Sequence, residues 1–224
     1  MPQHIKNIGI GNSYVSQIIY ELRQKDVQQD RMRFRRNMEK LGAILAYHVS
    51  MELTYQTEVT ETVLGELEMN VLQEQPVIVS ILRAGIPLHN AFLDFFDNAD
   101  NAFISAYRHH TRGNEFIIKL DYMASPELGE RDIILIDPMI ATGSSICLCY
   151  KALTEMGIPR NIYIVGVIAS EEGLENVRRK IPNAKIFVAA IDAELTAKAY
   201  IIPGLGDAGD LAFGPKGVLS EEVD

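Results

Sequence analysis

The stretch that decides the fold is Ile133-Ile-Leu-Ile-Asp137-Pro-Met-Ile-Ala-Thr-Gly143-Ser-Ser145. Its first four residues are aliphatic and mostly β-branched, which is typical of a strand buried on both faces of a parallel sheet. One carboxylate, Asp137, ends the strand, and small residues then lead into a helical pattern over 145–156. The stretch therefore predicts a strand, a tight turn and a helix, the repeating unit of open α/β sheets.

Similar apolar runs recur on both sides of this stretch. They cover residues 77–81, 102–107, 162–168 and 186–191, and a second helical pattern covers 171–180. Strands that alternate with helices predict an α/β fold: an open, mostly parallel twisted sheet with helices on both faces and ligands at the carboxyl ends of the strands. The polar stretch 108–121 interrupts the pattern and predicts a flap hairpin over that edge.

The part before residue 76 is predicted to be an N-terminal helical and extended extension, 1–75, of a single domain whose core covers 76–214. Asn12-Ser13 can cap a helix that runs to Arg23. A longer helix is predicted from Asp30 to Met51, and residues 54–62 favour an extended segment. Along the longer helix, apolar residues recur at steps of three and four, namely Phe34, Met38, Leu41, Leu45 and Val49.

Composition argues against several classes of protein. The 224 residues carry a net charge of −9, which disfavours broad nucleic-acid binding. No apolar run approaches the roughly 20 residues of a membrane span, and the first residues lack a signal-peptide pattern, so we expect a cytoplasmic protein without membrane contact. Cys147 and Cys149 are expected to be small apolar residues. A basic cluster near the start of the longer helix is expected to form a solvated face or a subunit contact; it consists of Arg31, Arg33, Arg35 and Arg36.

The turn after Asp137 predicts a binding site for ribose 5-phosphate. A carboxylate at the end of a buried strand needs a partner such as ribose hydroxyls or a metal. Small and hydroxyl-bearing residues at 141–145 allow the backbone and the helix N-terminus to surround a phosphate. A nucleoside-triphosphate P-loop is excluded because that motif ends in Gly-Lys-Ser/Thr, and the first lysine after Asp137 is Lys151.

Two arginines follow other predicted strands. Arg83 lies within Ser80-Ile-Leu-Arg-Ala-Gly85, and Arg108 follows Tyr107. Their planar guanidinium groups suit the oxygens of a pyrophosphate. His109, His110 and Arg112 are predicted to be flap residues, because the histidines lack the spacing of metal ligands.

A glycine-rich segment near the end of the chain predicts a pocket for a base. It reads Tyr200-Ile-Ile-Pro-Gly204-Leu-Gly-Asp207-Ala-Gly-Asp210. Residues 204–209 match the dinucleotide fingerprint G-x-G-x-x-G, but that motif must open the helix of a ~30-residue βαβ unit, and the sequence ends at Asp224. A base pocket made mainly of backbone groups fits better, and a plain surface turn remains the alternative.

Together these motifs resemble the uracil phosphoribosyltransferase family. Residues 137–145 are similar to its signature for phosphoribosyl pyrophosphate (PRPP), usually DPMLATGGS, and residues 200–210 to its uracil-binding loop. Residues 81–85 and Tyr107-Arg108 are similar to its pyrophosphate-contacting elements. The likeness is dense from Pro76 to Gly214.

The resemblance implies an enzyme of pyrimidine salvage that joins uracil to PRPP, giving UMP and pyrophosphate, with Mg²⁺ bound together with PRPP. Its catalytic residues would be Arg108, Asp137 and Asp207, and uracil would be held by Ile201, Gly206 and Ala208 beside Asp207. A homodimer or larger homo-oligomer is implied, and GTP is a candidate effector. The residues implied to bind PRPP are Arg83, Arg108, Asp137, Pro138, Met139, Ile140, Ala141, Thr142, Gly143, Ser144, Ser145 and Asp207.

The sequence also departs from the family pattern. Ser144 stands where a second glycine is usual, Ser170-Glu171 replaces a common Ala-Pro-type pair, and the flap is different. Two alternatives stay open: an RNA-binding pyrimidine regulator on the same scaffold, which would need a basic face, and a phosphoribosyltransferase for another base. A purine enzyme usually has two adjacent acids where this chain has Ile136-Asp137.

Overall fold

The computed structural model describes residues 4–110 and 116–217, with the backbone alone for 107–110 and 116–119. The helices are α1 Tyr14–Arg23, α2 Lys25–Gln28, α3 Arg31–Ser50, α4 Ile86–Phe95, α5 Ser144–Leu153, α6 Glu171–Lys180 and α7 Ala208–Phe213, with a 3₁₀ turn at Thr154–Met156. The strands are β1 Ile5–Asn7, β2 Tyr55–Thr62, β3 Gly65–Leu72, β4 Val77–Leu82, β5 Asp100–His110, β6 Phe116–Ala124, β7 Asp132–Ile136, β8 Met139–Ile140, β9 Asn161–Ser170, β10 Lys185–Asp192, β11 Glu194–Leu195 and β12 Ile201–Ile202.

The central sheet has the order β1-β10-β9-β7-β4-β5-β6, with β8 added beside β9. Every pairing in it is parallel except that of β6 with β5. The predicted open, mostly parallel α/β sheet is therefore confirmed, and each of the five predicted buried runs forms a strand. From β7 the chain moves outward to β9 and β10, whereas from β4 it moves outward to β5. The strand order thus reverses between β7 and β4, where open sheets of this kind leave a crevice for ligands.

The sheet is buried on both faces because its strands are apolar at consecutive positions. In β7, Ile134 and Ile136 pack into one core cluster with side chains from α1, α3 and α4. Ile133 and Leu135 pack into a second cluster with side chains from α5 and α6. A parallel strand covered on both sides needs this uninterrupted pattern.

The first helices begin and end close to the predicted residues. The Ser13 hydroxyl accepts the N–H of Val15 at 3.3 Å and caps α1, and the Asp30 carboxylate accepts the N–H of Arg33 at 3.0 Å and caps α3. All five apolar residues predicted along α3 are buried in the first core cluster. Through α1 and α3, the segment before residue 76 shares this core with the sheet.

The arginines at the start of α3 take part in contacts within the chain. Arg33 pairs with Glu21 of α1 at 2.8 Å, and Arg36 pairs with Glu39 one turn further on. Arg35 donates to the carbonyl of Ala212 at 2.7 Å, so α3 also holds α7.

Residues 54–62, predicted as extended, form β2, and the sequence reasoning missed its partner β3. The two strands pair antiparallel from Tyr55 opposite Leu72 to Thr62 opposite Gly65. Both strands are exposed along almost their whole length, and Val63 and Leu64 at the tip are fully exposed.

Among the described helices, none is long and apolar enough to span a membrane.

Candidate active site

The predicted site residues follow neighbouring strands of the sheet. Asp137 follows β7, and Arg83 follows β4, its direct neighbour. Arg108 lies in β5, the next strand, with its backbone opposite Ile118 of β6. Because parallel strands have their carboxyl ends at one edge, the sheet brings Asp137 and Arg83 together at the point where the strand order reverses.

The turn after β7 is fixed by its own backbone and by the sheet. The Asp137 Oδ1 atom accepts the N–H of Met139 at 3.2 Å. The Pro138 carbonyl accepts the N–H groups of Val167 and Ile168 at 2.9 and 3.0 Å, and Met139 and Ile140 form β8 beside β9. Residues 138–140 therefore anchor the turn to the sheet.

The carbonyl groups of the turn are bound by α6 and the residue before it. The Ser170 hydroxyl donates to the Ala141 carbonyl at 2.5 Å, and the Asn176 amide donates to the Thr142 carbonyl at 2.7 Å. Ser170 also caps α6 by accepting the N–H of Gly173 at 2.9 Å. With its carbonyls held by these donors, the turn can present N–H groups and the first turn of α5 to an anion.

Gly143 is the residue of the turn that must be glycine. Its φ of +71° lies in the left-handed region, and an added Cβ would lie 2.7 Å from the Gly173 carbonyl oxygen. Ser144, which replaces a second glycine of the family signature, is already the first residue of α5. Its hydroxyl accepts a hydrogen bond from the Thr142 hydroxyl at 3.0 Å, so the serine fits without strain and adds an ordered polar group.

Arg83 links the sheet edge to α7, the helix that follows the glycine-rich loop. Its Nη2 atom lies 3.0 Å from the Asp210 carboxylate and 3.2 Å from the Gly214 carbonyl oxygen. Its Nε atom is buried and has no hydrogen-bond partner among the described residues. About a third of the side chain is exposed, so the guanidinium is accessible to a ligand.

The glycine-rich loop, residues 201–209, begins as a strand and ends as a helix. Ile201 pairs with Leu195 between β12 and β11 and is buried. Leu205 and Ala208 are also buried, whereas Gly206 is exposed and has a φ of +98°. Helix α7 at the end of the loop was not predicted from the sequence.

Asp207, a predicted catalytic residue, caps α7. Its Oδ1 atom accepts the N–H of Asp210 at 3.0 Å. Asp210 in turn pairs with Arg83, so the glycine-rich loop and the strand edge are joined through two consecutive contacts. Asp210, which the sequence places in the glycine-rich segment without a role, is thus the residue that connects the two parts of the site.

The cysteines of α5 lie behind the turn. Both are buried free thiols, as expected of small apolar residues. Burial, together with the nearby Asp137 carboxylate, raises the pKa of the Cys149 thiol to about 12. At neutral pH this thiol therefore stays protonated and is a poor nucleophile.

Two surface pockets, of about 450 and 400 Å³, lie apart from most of the predicted site. The larger is lined mainly by α5 residues, with Thr154, Lys180 and Ile181, and it shares only Ser144 with that site. The smaller lies between the start of the chain and the end of β10. We assign the candidate site to the strand edge, because Asp137, Arg83 and the phosphate turn lie there.

Some predicted residues cannot be placed. The side chains of Arg108, His109 and His110 and the whole of Arg112 lie outside the described residues. The backbones of β5 and β6 pair up to His110 opposite Phe116, which agrees with a hairpin in the predicted flap. Within residues 4–106 and 120–217, no group of three or more His, Cys, Asp or Glu side chains is arranged to hold a metal ion.

Comparison with known proteins identifies the family. A sequence model described as uracil phosphoribosyltransferase matches residues 10–215. The uracil phosphoribosyltransferase of Porphyromonas gingivalis is 44% identical over 211 residues, which cover 94% of this chain and 98% of that protein. The one from Pyrococcus furiosus is 37% identical over 204 residues, covering 90% and 86%. A solved structure, the AQ2163 protein of Aquifex aeolicus, superposes with a TM-score of 0.83 at 28% identity and covers 94% of this chain and 98% of that one. The chain belongs to the uracil phosphoribosyltransferase family.

Proposed function

We propose that the protein transfers the phosphoribosyl group of PRPP to uracil, giving UMP and pyrophosphate. The observation that carries this proposal is the link between two subsites at one sheet edge. A phosphate turn follows Asp137, and Arg83 beside it binds Asp210 and Gly214, in and directly after the helix that follows the glycine-rich loop. That loop resembles a uracil pocket. Membership of the family supports the same reaction.

In this proposal the PRPP site is built around the β7–α5 turn. The turn of residues 141–145 binds the 5-phosphate through backbone N–H groups and the hydroxyls of Thr142 and Ser144. Asp137 accepts hydrogen bonds from the ribose hydroxyls. Arg83 and Arg108 bind the pyrophosphate through their guanidinium groups, and the exposed part of the Arg83 side chain is accessible to it.

The reaction replaces one bond to C1 of the ribose with another. The C1–O bond to pyrophosphate breaks, uracil N1 forms a bond to C1, and the N1 proton is released. Bond breaking leads, and positive charge develops on the sugar, as in other glycosyl transfers. The protein contributes by holding both reactants in line and by stabilising the charge of the leaving group with arginine. No covalent nucleophile is required, which agrees with the protonated, buried Cys149 thiol.

Mg²⁺ is proposed to enter bound to PRPP. Mg²⁺ is usually held by one or two carboxylates together with substrate phosphates. The Asp137 and Asp207 carboxylates can serve this role, and the described residues offer no larger cluster of acids. When bound, the ion neutralises charge on the pyrophosphate.

The base is proposed to bind to backbone groups of the loop. Uracil presents an acceptor, a donor and an acceptor, which match N–H groups of Gly206 and Ala208 and the carbonyl of Ile201. Cytosine has a bare nitrogen and an amino group at two of these positions, and a site built for hydrogen bonds discriminates against such a mismatch by roughly 10⁴-fold or more.

The test is to supply the purified protein with PRPP, Mg²⁺ and one base at a time, and to measure the nucleotide formed by chromatography. UMP from uracil, with little or no product from cytosine, hypoxanthine or guanine, supports the proposal. A purine nucleotide as the main product would replace it with a purine phosphoribosyltransferase. Repeating the uracil assay with and without GTP tests whether GTP is an effector.

The exposed β2–β3 hairpin supports a further part of the proposal, that the protein is a homo-oligomer. A two-stranded hairpin is marginal in water unless something packs against it. The exposed apolar residues on it are Tyr55, Val59, Val63, Leu64, Leu67, Met69 and Val71. We expect light scattering to give at least twice the monomer mass, and Val63→Asp with Leu64→Asp to lower it. A wild-type monomer at micromolar concentration would contradict this assignment.

A further inference from the structure

The glycine-rich loop is hydrogen-bonded to an ion pair, one of whose residues lies far from the loop in sequence. Arg23, the last residue of α1, binds Asp192, the last residue of β10, through two hydrogen bonds of 2.8 Å each. Only 7% of the Asp192 side chain and 23% of the Arg23 side chain are exposed. A bidentate pair with this degree of burial fixes the positions of both groups much more strongly than a surface pair does.

The same two side chains bind both backbone groups of Gly204. The Asp192 Oδ2 atom accepts the N–H of Gly204 at 2.9 Å. The Arg23 Nη1 atom donates to the carbonyl of Gly204 at 3.1 Å. Arg23, Asp192 and Gly204 therefore form a closed network, in which each member contacts the other two; we call it the Gly204 clamp.

The clamp lies in the middle of the loop. Gly204 is three residues after Ile201 and two before Gly206. A Cβ at Gly204 would lie 2.2 Å from the Ile201 carbonyl oxygen, so the backbone at 204 is packed directly against that group. Moving Gly204 would thus shift the Ile201 carbonyl on one side and the Gly206 N–H on the other.

Little else in the described residues holds this part of the loop. The β11–β12 pairing ends at Ile202, and α7 begins at Ala208. Between them, Leu205 provides apolar burial, which is non-directional and does not fix the orientation of a peptide group.

We infer that Arg23 and Asp192 are positioning residues for the base, which orient the backbone of the loop without touching the substrate. This inference rests on the proposed function, because it assigns the loop to uracil. The affinity for uracil and the preference for uracil over cytosine then depend on the clamp, whereas PRPP binding at the β7–α5 turn does not.

Two variants test the clamp with minimal loss of packing. Arg23→Lys keeps the charge, but a single ammonium cannot replace a fork that reaches both carboxylate oxygens and the Gly204 carbonyl. Asp192→Asn keeps the shape and places an amide where an oxygen accepts from Arg23 and Gly204. The matched control is Arg33→Lys, because Arg33 also makes a two-bonded pair with a glutamate of α1 and lies outside the loop.

Four quantities are measured for each variant: the Michaelis constants for uracil and PRPP, the ratio of UMP to CMP formed, the melting temperature, and the hydrogen-exchange rate of residues 201–209 without substrate. In both clamp variants we expect the uracil KM to rise roughly ten- to a hundredfold, the range for one lost charge-assisted hydrogen bond. The PRPP KM is expected to stay within about twofold. The exchange of the Gly204 amide is expected to become faster, and Arg33→Lys to change neither the exchange nor the uracil KM.

The outcomes separate the clamp from the proposed function. An unchanged uracil KM with an unchanged exchange rate at Gly204 overturns the clamp. A lower melting temperature with equal changes in both Michaelis constants shows a purely structural ion pair and also overturns it. If wild-type protein makes no UMP but Arg23→Lys still speeds exchange in the loop, the proposed function fails while the positioning of the loop by the clamp stands.

Discussion

Replacing Gly206 with alanine tests whether the loop binds uracil in the conformation that the structure shows. Gly206 has a φ of +98°, and the nearest atom to an added Cβ is the Leu211 Cδ1 atom at 4.0 Å. The methyl group therefore has room, and the substitution acts through backbone strain alone. Gly204 would be a poor choice, because there a Cβ would also meet the Ile201 carbonyl oxygen at 2.2 Å.

The size of the effect follows from the strain. Left-handed backbone costs a residue with a Cβ roughly 1–2 kcal/mol relative to glycine. If the loop relaxes in the free protein and must recover this conformation to bind uracil, the whole cost appears in affinity. Since about 1.4 kcal/mol is a factor of ten, we expect the uracil KM to rise about five- to thirtyfold.

The assay is UMP formation at saturating PRPP over a range of uracil concentrations, repeated at saturating uracil over a range of PRPP. The matched control is Gly11→Ala, because Gly11 has a similar φ of +95° with no atom near an added Cβ and lies outside the loop. Gly11→Ala should lower the melting temperature slightly and leave the uracil KM unchanged.

One result would refute the reasoning. Suppose that Gly206→Ala keeps both the wild-type uracil KM and the wild-type melting temperature. The strain of a left-handed alanine at residue 206 would then be absent both from the loop with uracil bound and from the free loop. The loop conformation that binds uracil would then differ from the one described here.

Three other substitutions probe the rest of the molecule. Asp137→Asn keeps an acceptor for the Met139 N–H and should fold. At saturating substrates we expect it to lose most activity, because the lost contact contributes roughly 1.5–3 kcal/mol to transition-state stabilisation. Near-wild-type turnover would exclude a role of Asp137 in binding the ribose. Arg108→Lys should raise the PRPP KM much more than the uracil KM, and a change confined to uracil would show that the residue is misplaced. Hydrogen bonds, above all from the Arg33 guanidinium, lower the pKa of the Glu21 carboxyl to about 2 from its ordinary 4.5. Because the folded pKa is the lower one, this stabilisation is present above pH 4.5 and lost as the pH falls toward 2. Urea unfolding should therefore show Glu21→Gln less stable than wild type at pH 7, with the difference shrinking below pH 4.5.

The sheet and the phosphate turn could be predicted because their signals are local. An uninterrupted apolar run such as 133–136 reports burial on both faces of a strand, and Asp137 with the small residues after it reports a ligand at the strand end. Ser144 shows the limit of such local signals. The sequence identifies the serine as a departure from the family signature, but not whether it disturbs the turn. The structure shows that it does not, because the left-handed backbone of the turn falls on Gly143 and not on Ser144.

Contacts between distant residues could not be predicted in the same way. Asp192 at the end of a buried strand needs a partner, which the sequence could have suggested. That the partner is Arg23, 169 residues away, follows only from the packing of α1 against β10. The strand β3 was missed although its sequence carries a signal: Leu67, Met69 and Val71 alternate with polar residues, which is the period-2 pattern of a strand.

Arg83 shows why such contacts matter for the reaction. Read from the sequence, it is a pyrophosphate ligand at a strand end, and its replacement by lysine should weaken PRPP far more than uracil. In the structure the same guanidinium also binds Asp210, in the first turn of α7, and the carbonyl of Gly214, directly after α7. Since α7 follows the base loop directly and is capped by Asp207, a pyrophosphate at Arg83 competes with a contact that holds the base loop. Arg83→Lys should therefore change the Michaelis constants of both substrates, whereas Arg108→Lys, on β5, should change mainly that of PRPP.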